Sequence, residues 1–181
     1  MNIVAWMIVA CEVAFWIFII LGLAARYILK QEKLGLLLLA LSPVVDLILL
    51  ITTSVDLYRG AESTFAHGLA AVYIGVSIAF GKSMIAWADQ RFKYYITKQG
   101  TPPVKRYGTE YAVHYFKGWI QHLIAYLIGA VLLGGLIWMI DDASRTEALS
   151  GIWQLWSIIV GIDLLISITY FIWPKKQKAS I

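Results

Sequence analysis

The sequence predicts an all-α integral membrane protein. It reads as a bundle of five transmembrane helices, N-terminus outside and C-terminus inside, with a basic cytoplasmic loop between helices 3 and 4. Three observations predict it. Of 181 residues, 60% are hydrophobic and 14% charged, where a soluble domain carries about 25% charged residues. Five continuous apolar stretches reach the ~20 residues needed to cross ~30 Å of hydrocarbon. The basic residues gather in alternate loops. A mean hydropathy of +0.74 leaves too little polar surface for a soluble domain. Compositional disorder, a collagen-like fibre and a disulfide scaffold are excluded by 14 Gly, 4 Pro and 1 Cys.

The first span, Ile3–Ala25, carries Glu12. It reads as a retained helix rather than a cleaved signal, because Met1 and Asn2 give no basic n-region and the apolar run is too long. The second, Leu34–Val55, carries Asp46, with Ser42, Asp46, Thr53 and Asp56 on one polar stripe and Pro43 one turn before Asp46. A kink there would free carbonyls to line a cavity. The third, His67–Ala88, carries Lys82 and starts at His67; Ala71, Gly75, Ile78 and Lys82 share a face that allows close helix approach. The fourth, Trp119–Ile140, carries His122, and the fifth, Ser150–Ile172, carries Asp163 on a stripe with Trp156, Ser167 and Tyr170. One charge per span does not prevent insertion: it costs about 2.5–3.5 kcal/mol, and each large apolar residue returns about 0.3–0.6. The runs do not alternate every second residue, so barrel strands are excluded.

Orientation follows from Lys and Arg. Twelve of the fifteen basic residues fall in the first and third connections and the C-terminal tail. Only Arg59 and Arg145 fall in the other two loops, and the positive-inside rule then gives N-out, C-in. Trp87, Trp119, Tyr170 and Trp173 fall at the inner interface, and Trp6, Tyr58, Trp138 and Trp153 near the outer one. The chain forms a single transmembrane domain. Residues 89–118 form its cytoplasmic loop: helix 3 runs on through Asp89–Ile96, Gly100-Thr-Pro-Pro breaks it, and a short second helix precedes Trp119. The positive loop suits anionic headgroups of the bilayer and needs no nucleic acid.

The intramembrane ionisable groups are the candidate ligand- or proton-binding residues: Glu12, Asp46, Lys82, Asp163, His67 and His122. At ~1.5 Å per residue, Glu12 and Asp46 reach similar depths, and so do Lys82 and Asp163. Lys82 and Asp163 are the natural opposite-charge match. Glu12 and Asp46 would form a carboxyl pair sharing a proton, which is chemistry a proton-coupled carrier needs. His67 and Asp56 could form a pH-sensitive pair at the outer rim.

Other chemistries are set aside. Cys11 is alone, which excludes a dithiol oxidoreductase. His67 and His122 lie at opposite depths, His114 lies outside the span, and no haem pair forms. No residue cluster has zinc or di-iron spacing, and no cofactor is expected. Neither a phosphate-cradling glycine loop nor a nucleophile elbow occurs.

The blocks Ser42-Pro-Val-Val-Asp46-Leu, Asp56-Leu-Tyr-Arg-Gly-Ala, Phe65-Ala-His67-Gly-Leu-Ala-Ala-Val-Tyr, Gly81-Lys82-Ser-Met, Trp87-Ala-Asp89-x-Arg91-Phe and Pro102-Pro-Val-Lys-Arg-Tyr-Gly cover roughly residues 40–108. This region resembles the YmcC-like proteins, small multi-span membrane proteins found mainly in Gram-positive bacteria. The resemblance implies a multi-pass protein of the bacterial cytoplasmic membrane and assigns no catalytic or binding residue. The functional expectation is a small proton- or cation-linked transporter, alone, as a homo-oligomer or with a membrane partner. A non-catalytic interaction or regulatory subunit is the alternative, and a membrane-embedded lipid-handling enzyme the third. An enzyme would need Asp56, Arg59 and His67 to converge on one pocket.

Overall fold

The computed structural model describes residues 3–95, 98, 102 and 104–176; the side chains of residues 3–5, 7, 8, 12, 66 and 93 lie outside that description. Among the described residues the chain is five helices and no strand: α1 (Ile3–Tyr27), α2 (Glu32–Tyr58), α3 (Phe65–Tyr95), α4 (Gly108–Ile140) and α5 (Glu147–Ile172). All five are long and apolar enough to cross a membrane. The short helix expected ahead of Trp119 is the first turns of α4, which runs unbroken through Gly118. A single glycine costs a helix only about 1 kcal/mol, too little to end one of 33 residues.

Consecutive helices pack as hairpins. α1 lies along α2, α4 lies between α3 and α5, and α2 joins the two halves by packing on α3. Glycines set the closest crossings. A Cβ on Gly35 of α2 would stand 2.7 Å from the Gly22 carbonyl oxygen of α1, so only a bare backbone fits there. On α3 a Cβ at Gly75 would meet the Ala125 carbonyl of α4, and one at Gly129 would meet the Trp156 ring of α5. The core gathers Leu49, Leu50 and Leu57 of α2 with Ala71 and Ile74 of α3, Leu133 of α4 and Ile152 of α5. The outer surface is apolar instead of charged, with Trp6, Val13, Ile20, Ile51, Ile78 and Val131 exposed. Facing acyl chains, these residues need no protein partner.

Each end of the bundle is tied by an arginine. At the α2–α3 hairpin end, the Arg145 guanidinium donates to the Leu57 carbonyl and, at 3.2 Å, to the Ala61 carbonyl. The Ser63 amide donates back to the Arg145 carbonyl at 2.8 Å. Leu57 is in the last turn of α2, where its carbonyl has the Gly60 amide at 3.1 Å in place of an i+4 donor and the helix dipole favours a cation. At the opposite, basic end, Arg26 of α1 grips Asp89 of α3 with both arms, Nε to Oδ1 at 2.7 Å, and the Tyr27 hydroxyl donates to the same carboxylate at 2.8 Å. α4 stops at Asp141, whose left-handed backbone (φ 50°) lets its amide close the last turn on the Ile137 carbonyl.

Candidate functional site

The face that α4 turns to α5 carries Tyr111, Tyr115, Trp119, His122 and Tyr126, at helical spacings of four, four, three and four. The facing stripe of α5 carries Trp153, Trp156, Ser157, Val160, Asp163 and Tyr170. A hydrogen-bonded chain links them across the seam. The Trp156 indole N–H donates to His122 Nε2 at 3.2 Å, His122 Nδ1 lies 3.1 Å from Asp163 Oδ2, and the Tyr115 hydroxyl donates to Asp163 Oδ1 at 3.2 Å.

Donor chemistry fixes the direction of this chain. An indole N–H can only donate, so His122 Nε2 is the acceptor and carries no proton. The ring proton is therefore on Nδ1, pointing at Asp163. The Asp163 carboxylate receives two donors, one from a neutral imidazole and one from a phenol. A doubly protonated His122 would set its Nε2–H against the Trp156 N–H, so the indole holds the ring in one tautomer. Side-chain exposures of 22% for His122 and 24% for Asp163 leave the pair half-buried.

The seam continues in both directions. Towards the hairpin end, the Trp153 indole donates to the Tyr126 hydroxyl at 2.9 Å, Tyr126 lies 2.8 Å from Ser157 Oγ, and Ser157 donates to the Trp153 carbonyl at 2.8 Å, a closed ring of donors. Towards the basic end, Tyr115 packs on Tyr170 and Tyr111, and the Lys175 ammonium lies 4.5 Å from the centre of the Tyr111 ring. Tyrosine rings thus stand in contact between Lys175 and the Asp163 end of the seam.

The pairing of Lys82 with Asp163 is corrected by this geometry. Asp163 is held by His122 and Tyr115, while Lys82 is exposed and shares no ion pair with it among the described residues. The close packing of α3 through Ala71 and Gly75 shifts further along to Val76, Ala79 and Phe80. Ile78 and Lys82 are thereby left on the outer side, where the lysine's long stem can carry its charge towards the interface.

Asp46 is sealed instead. It is 2% exposed, and its Oδ2 has no hydrogen-bond partner among the described residues; Ser42 Oγ, one turn earlier and 5% exposed, has none either. The Glu12 side chain, expected to pair with Asp46, lies outside the described residues. Thr53, on the same stripe, spends its hydroxyl on its own helix, donating to the Leu49 and Leu50 carbonyls at 2.8 and 3.0 Å. Trp16 of α1 is exposed on the outer surface.

His67 is 2% exposed and serves as a helix cap. Its Nδ1 accepts the Thr64 backbone N–H at 3.0 Å and lies 2.6 Å from the Thr64 hydroxyl, while the His67 amide donates to the Thr64 carbonyl at 3.1 Å, one half of a capping box. The residues expected for an enzyme at this end do not come together in the groove found there. Arg59 lines a groove of ≈ 510 Å³ between α2 and α4 with Tyr58, Ser54 and apolar side chains, and neither Asp56 nor His67 is among its lining residues.

Of the five candidate residues whose side chains are described, the structure joins only His122 and Asp163. Sequence reasoning missed Tyr115, Trp119, Tyr126 and Ser157. The four-four-three-four spacing of aromatic residues from Tyr111 to Tyr126, on the face that carries His122, was the signal that could have found them.

Over 180 residues the chain is 66% identical to "Uncharacterized membrane protein YmcC" of Bacillus subtilis (strain 168), covering 99% of this chain and 97% of that protein. The chain belongs to the YmcC family. With five membrane-length helices and a relative named as a membrane protein, this YmcC-family chain is a multi-pass bacterial membrane protein. No protein-family model and no solved structure matches the chain.

Proposed function

We propose that this protein is a small proton-linked membrane carrier whose proton-holding centre is the Asp163–His122 pair on the α4–α5 seam. One observation carries the reading: a carboxylate deep in a membrane-length helix pair is held between a histidine of fixed tautomer and a phenol. Ionisable residues inside membrane helices are expensive, and chains of Asp, His and hydroxyl groups there serve as proton relays. Asp163 lies nine residues before the end of α5, ~14 Å along the helix axis, with Tyr115, Tyr111 and Tyr170 between it and the basic end. A proton arriving at Asp163 removes the charge that orients His122, so the ring can turn from Trp156 and the seam can loosen.

The protein would sit with its basic end in the cytoplasm, N-out and C-in. In a Cys11→Ala background, a membrane-impermeant maleimide added to intact cells labels Ser63→Cys and leaves Thr109→Cys unlabelled if that orientation holds; the reverse pattern refutes it. Function is tested in proteoliposomes loaded with a pH-sensitive dye. An imposed proton gradient should be dissipated faster with wild-type protein than with folded Asp163→Asn. Equal dissipation by the two, with a difference only in stability, would make the seam a structural clasp and favour the non-transporting subunit.

A further inference from the structure

The geometry points to a monovalent-cation site on α2, formed by the Asp46 carboxylate and the Ser42 hydroxyl beside the backbone opened by Pro43. Its proton-independent ligand chemistry sets it apart from the α4–α5 seam, and it stands whether or not the proton reading of that seam holds. Asp46 and Ser42 are each more than nine-tenths buried, and among the described residues Asp46 Oδ2 and Ser42 Oγ both lack a partner. Buried polar atoms are nearly always satisfied, and two orphaned oxygens one helical turn apart are an unusual concentration.

Helical spacing places the two oxygens on one face of α2. Side chains on a helix lean towards its N-terminus, and residues i and i+4 are neighbours on one face. The Asp46 carboxyl therefore leans over the turn holding Ser42 and Pro43. Proline has no amide hydrogen, so the Leu39 carbonyl, four residues before Pro43 in the same helix, has no intrahelical donor. A carboxylate, a hydroxyl and an unclaimed carbonyl make an all-oxygen donor set, which suits a hard cation.

Charge balance selects the valence. The charged ligand of this set is Asp46, which brings one negative charge. A single positive charge neutralises the site, whereas a divalent ion would leave net charge sealed in an apolar interior. Cys11 of α1 is within electrostatic reach of Asp46 and adds no charge as a thiol. Thr53 is committed to its own helix. The ion inferred is Na⁺ or Li⁺, held where α1 covers α2.

The test uses full-length protein in detergent at pH 8, titrated with NaCl or LiCl against choline chloride at constant ionic strength, with thermal unfolding as readout. Binding to the folded state alone raises the midpoint as the ligand exceeds its Kd. The midpoint should rise by several degrees and saturate with Na⁺ or Li⁺, and the rise should be lost in Asp46→Asn and kept in Asp163→Asn. If Asp46→Asn does not fold, Ser42→Ala decides: it should weaken the apparent affinity at least five-fold, and an unchanged affinity overturns the site. No cation-specific rise, or an equal rise in Asp46→Asn, also overturns it. So does stabilisation that acidification alone reproduces in choline, because the occupant is then a proton.

Discussion

Replacing Asp163 by Asn tests the seam with little change in shape. Two donors converge on the carboxylate, the Tyr115 hydroxyl at 3.2 Å and His122 Nδ1 at 3.1 Å. Asn keeps one acceptor oxygen and turns an NH₂ towards the other donor, so one bond is lost outright and a donor faces a donor. Interhelical side-chain hydrogen bonds in a membrane protein average about 0.6 kcal/mol and reach about 1.7. Losing one bond and leaving its donor against an NH₂ therefore costs about 1–3 kcal/mol. A larger figure is unwarranted, since both distances exceed the 2.7–2.9 Å of strong charge-assisted bonds and the pair is half-buried. The assay is reversible unfolding in mixed micelles, followed by far-UV circular dichroism as the denaturing detergent fraction rises. Lys82→Met is the control and should stay within about 0.5 kcal/mol of wild type, as an exposed residue without an ion pair should. If Asp163→Asn unfolds like wild type, the seam described above is wrong; if Lys82→Met costs as much as Asp163→Asn, the opposite-charge pairing returns.

Three further outcomes follow from the ties at the two ends. Arg26→Gln removes the two-armed grip on Asp89, and hydrogen bonds to charged groups are worth about 1.5–3 kcal/mol. With water near that end to rehydrate the carboxylate, a loss of about 1–2 kcal/mol in the same micelle assay is expected; no loss would mean the grip is not formed. Arg145→Ala strips donors from the Leu57 and Ala61 carbonyls and should cost about 1–2 kcal/mol, with faster amide exchange confined to the α2–α3 hairpin. Exchange spread over the whole bundle would contradict a local tie. In the α4–α5 turn, the Ser144 hydroxyl and the Arg145 and Ser144 amides donate to Asp142 and hold its carboxyl below its ordinary value of 3.8. The unfolded chain then binds the proton more readily, so this contribution is complete above the ordinary carboxylate value and is lost as pH falls through the lowered one. The unfolding midpoint of wild type should fall more steeply than that of Asp142→Asn below pH 4, and parallel curves would refute it.

The five spans were legible because hydrocarbon thickness leaves one solution for long apolar runs, and each span overlaps its helix. The inward face of α2 was legible too, since Ser42, Asp46 and Thr53 repeat at helical spacing and all are buried. Side-chain partners were not. Depth along the bilayer constrains one coordinate, while pairing also needs the rotation of each helix about its axis. For α3 that rotation is set by Gly75 closing on Ala125 of α4, and for α4 by Gly129 admitting the Trp156 ring of α5, contacts between residues about fifty or fewer positions apart that no periodicity reveals. Lys82 and Asp163 matched in depth and missed in rotation. Thr64, three residues before His67, gives its Nδ1 a capping role that reading His67 as a rim group beside Asp56 does not supply. The threonine–histidine spacing is that of a capping box, with histidine in the place of the usual Glu or Gln.

The account turns on how the protons are arranged around His122, and side-chain ¹⁵N NMR of histidine-labelled protein in bilayers reads that directly, with His122→Gln and His67→Gln used for assignment. His122 should be protonated at Nδ1 and bare at Nε2, and His67 should show the opposite tautomer because its Nδ1 accepts from Thr64. Trp156→Phe should let the Nε2-protonated form of His122 appear while leaving His67 unchanged. A His122 ring protonated at Nε2 or at both nitrogens in the wild-type protein at neutral pH would contradict the account.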